Sequence, residues 1–178
     1  MMSYASLRRA TLNDAEAIAH FSARVFFLSC PQTAADDLAE YVAGELNPAR
    51  WELILGDPNQ VTLVAEASGK IVGYIVVALQ QEHPALNVKG AAEFRKLYVE
   101  AEQHGTGVGA QLFEAALAVA EAHRRPVWLG VFQQNQRAIA FYKKYDFVIA
   151  GEQIFQVGKD PQLDYLMLRA AAPLLLPE

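Results

Sequence analysis

Cysteine is almost missing from this chain: Cys30 is the only one in 178 residues. No internal disulfide is possible, which excludes a disulfide-stapled scaffold and matches a reducing compartment, so the expected location is cytoplasmic. Long apolar runs are missing too. No stretch reaches the roughly 18–20 residues that a membrane-spanning helix needs. The opening segment MMSYASLRRATLND has no apolar core of the kind a signal peptide carries. A surplus of positive charge is also absent: 15 Lys and Arg stand against 20 Asp and Glu, a net charge of -5. Neither nucleic acid nor a membrane surface is therefore expected as a partner. No internal repeat, low-complexity block or linker interrupts the chain. His20, His83 and His123 show no metal-ligand spacing, and no metal is expected.

What is present is a globular composition, 53% hydrophobic and 20% charged. The length suits one domain, placed at residues 1–170, with a short proline-containing tail at 171–178. Tyr4 to Ala10 reads as a first strand. Thr11 and Asp14 form a capping signal for a helix through Ile18, Phe21, Val25 and Leu28, which ends before Pro31. A second helix is expected from Thr33 to Leu46, with Asp36, Asp37, Glu40 and Glu45 off its apolar stripe as a solvated face. A third helical piece starts at Pro48. Val61 to Leu79 reads as a hairpin turning at Ser68-Gly69, and Glu93 to Val99 as another strand. A glycine-rich segment, Gly105 to Gly109, opens a helix reaching about His123. The strand VWLGVF follows Pro126, then a helix from Asn135, then strands at Phe147 to Ala150 and Leu163 to Leu168. This order predicts an α/β fold with a mixed sheet and helices on both faces.

The glycine-rich segment has two readings. Glycines remove Cβ atoms, so backbone N–H groups approach a ligand closely, and a helix N-terminus adds unpaired donors and partial positive charge. That makes an anion site suited to a pyrophosphate. Equally, a tight strand-to-helix turn needs glycines for geometry alone, and the segment by itself leaves both open. A P-loop is excluded, because Gly109-Ala110-Gln111 replaces the required Gly-Lys-Ser/Thr. A dinucleotide fingerprint is set aside, because the next strand ends Val131-Phe132-Gln133-Gln134 without the acidic residue that binds ribose.

The segment LYVEAEQHGTGVGAQLF resembles the acetyl-CoA-binding motif of the GCN5-related N-acetyltransferase (GNAT) superfamily. Asn135-x-x-Ala138-x-x-Phe141-Tyr142-x-x-x-x-Phe147 resembles its second motif, and LRRATLNDAEAI its opening strand and helix. The three lie in family order over residues 7 to 169. Within the superfamily, VWLGVFQQNQRAIAFYKKYDF and FQVGKDPQLDYLMLR look most like the bacterial spermidine/spermine (PaiA-type) enzymes. Two positions depart from the pattern. His104 stands where Arg or Gln is usual, a poorer phosphate partner when neutral. Asp146 replaces the glycine of a Gly-Phe pair, and Asp tolerates left-handed backbone better than most residues.

The resemblance implies a GNAT fold: a mostly antiparallel sheet of six to seven strands, whose fourth strand bulges and splays from the fifth to open a cofactor slot. It implies an acetyltransferase that uses acetyl-CoA as co-substrate and acetylates an amine directly. Carried over by position, backbone groups of Leu97, Tyr98 and Val99 bond the pantetheine arm and acetyl carbonyl, with Val99 N–H as oxyanion donor. His104, Gly105, Thr106, Gly107, Val108, Gly109 and Ala110 hold the pyrophosphate, and Asn135 bonds the pantetheine arm. Tyr142 is the candidate general acid, against a plain role as a core aromatic on the stripe of Ala138 and Tyr145. Glu93 is the candidate general base, against a solvated strand-end carboxylate, with a water chain as the family's other solution. Cys30 and Trp51 are read as packing residues. The acceptor expected is a small polyamine-like amine. A protein amine and a non-catalytic acyl-CoA sensor are the alternatives, and a homodimer is the assembly entertained.

Overall fold

The structure is a computed structural model describing residues 5–171; residues 172–178 of the tail and Tyr4, the first residue of the expected opening strand, lie outside the described residues. Strand β1 (Ser6–Arg9) leads through a 3-10 turn into α1 (Ala15–Ser29). The Thr11 N–H donates to the Asp14 carboxylate at 2.7 Å, closing the expected cap. Arg8 donates to both Asp14 and Glu66, tying the first strand to the entry of α1 and holding the Asp14 carboxyl down at about 2. Helix α2 (Ala35–Glu45) is followed by α3 (Pro48–Gly56). Asn47 caps α3 by accepting the Arg50 N–H at 2.8 Å, with Pro48 in the first turn where a missing N–H costs nothing.

Strands β2 (Gln60–Ala67) and β3 (Lys70–Ala78) form the expected hairpin. Its turn residues Ser68 and Gly69 both take positive φ, 51° and 73°, as a tight turn matched to strand twist requires. Then come β4 (Ala92–Val99), α4 (Val108–Ala122), β5 (Val127–Phe132), α5 (Gln136–Lys143), β6 (Val148–Val157) and β7 (Asp160–Arg169). The seven strands lie in the order β1-β2-β3-β4-β5-β7-β6, and every neighbouring pair is antiparallel except β4 with β5.

Strand alternation sends residues to two cores. Val61, Ala65, Ile75 and Val77 pack under α4 through Leu112, Phe113 and Ala116, and α5 joins through Ile139. Val64, Tyr74 and Val76 pack against α1 and α3 through Ile18, Phe21 and Trp51. Helices thus cover both faces, and Trp51 is fully buried, its indole N–H donating to Ser22. No helix among the described residues is long and apolar enough to cross a membrane.

Gly73 sits where β3, β4 and α4 converge. A Cβ there would stand 3.0 Å from Leu112 Cδ1 and 3.1 Å from the Tyr98 carbonyl oxygen. Gly73→Ala is expected to destabilise the fold by roughly 1–3 kcal/mol, the usual cost of overpacking, because the backbone oxygen yields less readily than a side chain. Urea denaturation checks this; an unchanged midpoint would mean that both neighbours move freely.

Candidate functional site

The site begins with an irregularity in β4. Tyr74 faces Tyr98 and Val76 faces Arg95, so Lys96 and Leu97 together oppose the single residue Ile75. Lys96 absorbs the extra residue with φ of 53°, left-handed backbone that a lysine seldom adopts. Beyond this bulge the Glu100 N–H donates to the Val72 oxygen at 2.9 Å. Ladder alternation then turns the amides of Tyr98 toward β3 and those of Leu97 and Val99 the other way.

On that other side β4 has almost no partner. It pairs with β5 only at Ala92↔Val127 and Glu93↔Trp128. Past Trp128, β5 pairs with β7 as far as Phe132↔Asp164. The two parallel strands therefore splay into a V, with Glu93 at the closed end and Leu97 and Val99 lining one open arm. Of the three residues expected to offer backbone groups to a pantetheine arm, Leu97 and Val99 face the gap. Tyr98 does not: its backbone lies in the β3 ladder, and its ring packs on Phe26 and Tyr74 on the α1 side.

The glycine turn lies against the end of this arm. A Cβ on Gly109 would stand 3.6 Å from Val99 Cγ2. Gly105 and Gly107 take φ of 81° and 92° with open space where a Cβ would be, so backbone conformation rather than crowding calls for glycine there. The first ladder bond of α4 runs from Gln111 N–H to Gly107, leaving the amides of Val108, Gly109 and Ala110 ahead of the ladder. The Thr106 hydroxyl donates to the Gln103 oxygen at 2.7 Å and its backbone N–H to the same oxygen at 3.3 Å, so Thr106 is spent on the turn itself. His104 places Nε2 3.1 Å from the Val99 oxygen. A carbonyl only accepts, so the ring carries a proton there and fixes the strand end.

Asn135 caps α5, its side-chain oxygen accepting the Ala138 N–H at 3.1 Å, which leaves the amide NH2 to meet a ligand. Tyr142, one face of α5 further on, is half-buried with its ring centroid 5.4 Å from Phe113 and 6.2 Å from Phe147. Burial pushes its hydroxyl up to about 12. Burial thus makes this phenol a weaker acid than a free tyrosine, which works against its part as a proton donor unless the thiol it serves is buried as well. Asp146 takes φ of 65° in the turn after α5, the left-handed conformation that its place opposite a family glycine predicts.

Glu93 points away from α4, since its neighbour Phe94 packs there on Phe113. Its carboxylate accepts from Arg95 Nε, and burial pushes its pKa up while Arg95 opposes. Cys30 is buried, and Glu40 and Asp36 are exposed, as the sequence suggests. Asp37 is not merely solvated: it accepts the Lys159 N–H at 2.8 Å and docks α2 onto the turn between β6 and β7. Thr33 adds a bond to Asp160 at 2.7 Å across the same seam.

Four polar residues on the α1–α2 side were not found from the sequence. Asp164 of β7 is 7% exposed. Gln153 of β6 lies opposite it, and its Oε1 accepts from His83 Nε2 at 3.0 Å. Lys96 hangs over Tyr41 at 5.9 Å, its pKa lowered to about 8 by burial. The available signals were local: Asp164 interrupts an apolar strand, and Gly130 interrupts VWLGVF. A Cβ on Gly130 would meet Gln153 Nε2 at 2.7 Å and Asp164 Oδ2 at 3.3 Å, so glycine makes room for the pair.

Comparison with known proteins agrees with this geometry. The family model for the acetyltransferase (GNAT) family matches residues 23–147. An uncharacterized N-acetyltransferase of Mycobacterium tuberculosis strain H37Rv is 38% identical over 160 residues, 89% of this chain and 98% of that protein. A spermine/spermidine N(1)-acetyltransferase of Bacillus subtilis strain 168 is 26% identical over 93 residues, 51% of this chain and 61% of that one. Among solved structures, a PaiA N-acetyltransferase of Thermoplasma acidophilum in complex with coenzyme A superposes with a TM-score of 0.73 at 15% identity, covering 93% of this chain and 98% of that one.

Proposed function

Since this chain belongs to the acetyltransferase (GNAT) family and is an acetyl-CoA-dependent N-acetyltransferase, we propose that it passes the acetyl group directly to a small polyamine-like amine. The observation that carries the reading is the V between β4 and β5, with the Leu97 and Val99 amides turned into it and the glycine turn packed against Val99. The co-substrate supplies an activated thioester. Leu97, Val99 and the free amide of Asn135 hold its pantetheine arm, and the backbone N–H groups of Gly105 and of residues 107–110 take the pyrophosphate. Val99 N–H donates to the acetyl oxygen as negative charge builds there. Tyr142 returns a proton to the departing sulfur. Glu93 is the carboxylate that the family resemblance nominates to take the proton of the incoming ammonium.

Three observations support a small acceptor. The Bacillus subtilis relative acts, by its name, on spermine and spermidine. The carboxylates of Glu93 and Asp164 both lie on the α1–α2 side, where an alkyl ammonium would gain charge partners. Thr33 and Asp37 bond directly to the β6–β7 turn, so the seam between α2 and that turn is held shut at these two points. Thiol release from acetyl-CoA against polyamines, amino acids and N-terminal peptides tests the reading. Spermidine or a related diamine is expected to give the highest kcat/KM. A peptide outperforming every amine would favour the protein acetyltransferase, and coenzyme A binding without turnover on any acceptor would favour the sensor.

A further inference from the structure

We propose that Asp164 is the residue that receives the acceptor's ammonium group and takes its proton. The inference rests on the acetyltransfer reading and changes its base. Glu93 sits at the closed end of the V and already accepts from Arg95. Asp164 pairs with Phe132, four residues further along β5 than Trp128, or about 13 Å at the usual strand rise. It therefore stands at the wide end, level with the end of β4 where Val99 faces the gap.

Its surroundings suit a cation that arrives from outside. Asp164 is 7% exposed, yet no Lys, Arg or His pairs with it among the described residues. A buried carboxylate without a partner is costly unless it titrates or binds one. Tyr98 of β4 and Cys30 at the end of α1 feel its charge, and Asp160 of its own strand lies toward the same thiol. From β6, Gln153 steadies the ionised form and connects to His83 of the loop before β4; Lys96 of β4 leans to Tyr41 instead. Burial outweighs the help of Gln153 and pushes Asp164 up to about 6. Such a group is ionised at neutral pH and is a far better proton acceptor than a surface carboxylate. Gly130 leaves the room in which the Gln153 amide and the Asp164 carboxylate sit side by side.

The step balances within these groups. The ammonium binds to the carboxylate and one N–H proton passes to Asp164; the freed nitrogen lone pair forms the new N–C bond as the C–S bond breaks, and the second N–H proton leaves the new amide nitrogen to solvent. Tyr142 gives its phenolic proton to the sulfur, and solvent restores both groups.

The test is the pH profile of kcat/KM for spermidine with Asp164→Asn, beside coenzyme A affinity by calorimetry. The wild type is expected to lose activity as pH falls through about 6, where Asp164 takes up a proton. Asp164→Asn is expected to lower kcat/KM about 10²-fold, erase that acid limb and leave coenzyme A affinity within twofold. Retention of the limb in Asp164→Asn, or its loss in Glu93→Gln instead, overturns the assignment. A wild type inactive on every amine overturns the acetyltransfer reading itself, and this assignment with it. If Asp164→Asn fails to fold, carbon-13 NMR of the wild-type carboxyl replaces it. Saturating spermidine must then lower the Asp164 pKa, and an unmoved titration overturns the proposal.

Discussion

Gly107→Asp is expected to weaken coenzyme A binding by two to three orders of magnitude while leaving the fold in place. Gly107 stands at φ of 92° as the residue before α4, and its C=O takes the first ladder bond. A Cβ at this position meets nothing within 4 Å, so the substitution crowds no neighbour. Left-handed backbone costs a side-chain residue about 1–2 kcal/mol, and Asp bears it better than most. The larger penalty is electrostatic. A carboxylate about 4 Å from a phosphate charge at an effective dielectric near 20 is opposed by about 4 kcal/mol, close to a thousandfold in affinity. Gly107→Asn separates the two causes, since it carries the same strain without the charge, and should lose only about tenfold. Calorimetry on both variants gives the result. Equal affinity in Gly107→Asp and the wild type would remove the pyrophosphate from this turn.

Tyr142→Phe is expected to lower kcat about 10²-fold with acetyl-CoA affinity within about twofold. The ring contacts with Phe113 and Phe147 survive in Phe, so the packing of α5 persists. Only the proton donor is lost, and general acid catalysis is typically worth about 10²–10⁴-fold. The low end applies because a thiolate leaves fairly well without help. A phenol held up to about 12 gives its proton readily only to a thiolate in an equally dry place, where burial raises the thiol as well. The loss should therefore shrink at low pH, where solvent supplies the proton. Full kcat in Tyr142→Phe, with single-turnover kinetics showing chemistry to be slow, would leave Tyr142 as a core aromatic.

The parts of the fold that were legible in the sequence are those with local causes. Asn135 and Pro48 mark helix starts because capping needs only the next three residues. Gly105 and Gly107 mark the turn because left-handed backbone is a property of one residue. The last hairpin was read too short, as Phe147 to Ala150 and Leu163 to Leu168. The structure extends it to Val148–Val157 and Asp160–Arg169. Glu152, Gln153 and Gln156 hide the strand period, because β6 is an edge strand with much of its length in solvent. The bulge at Lys96 was expected only through the family likeness. Nothing in Glu93 to Val99 announces it, since a bulge is defined by register against β3. The cluster of His83, Gln153 and Asp164 could not be assembled for a stronger reason: Asp164 and Gly130 each break an apolar strand, but the members come from three segments that only the sheet order brings together.

The two-residue seam between β4 and β5 also says what kind of object the sheet is. Four strands lie on one side of it and three on the other, and few main-chain bonds cross. The sheet is less a plate than a pair of covers hinged at Glu93 and Trp128 and bound along the spine by the shared core under α4 and α5. A ligand arm bonding the Leu97 and Val99 amides fills the place of a missing strand. On the proposed binding mode the co-substrate is part of the architecture while it is bound, and each release of product hands the enzyme back with its sheet unfinished.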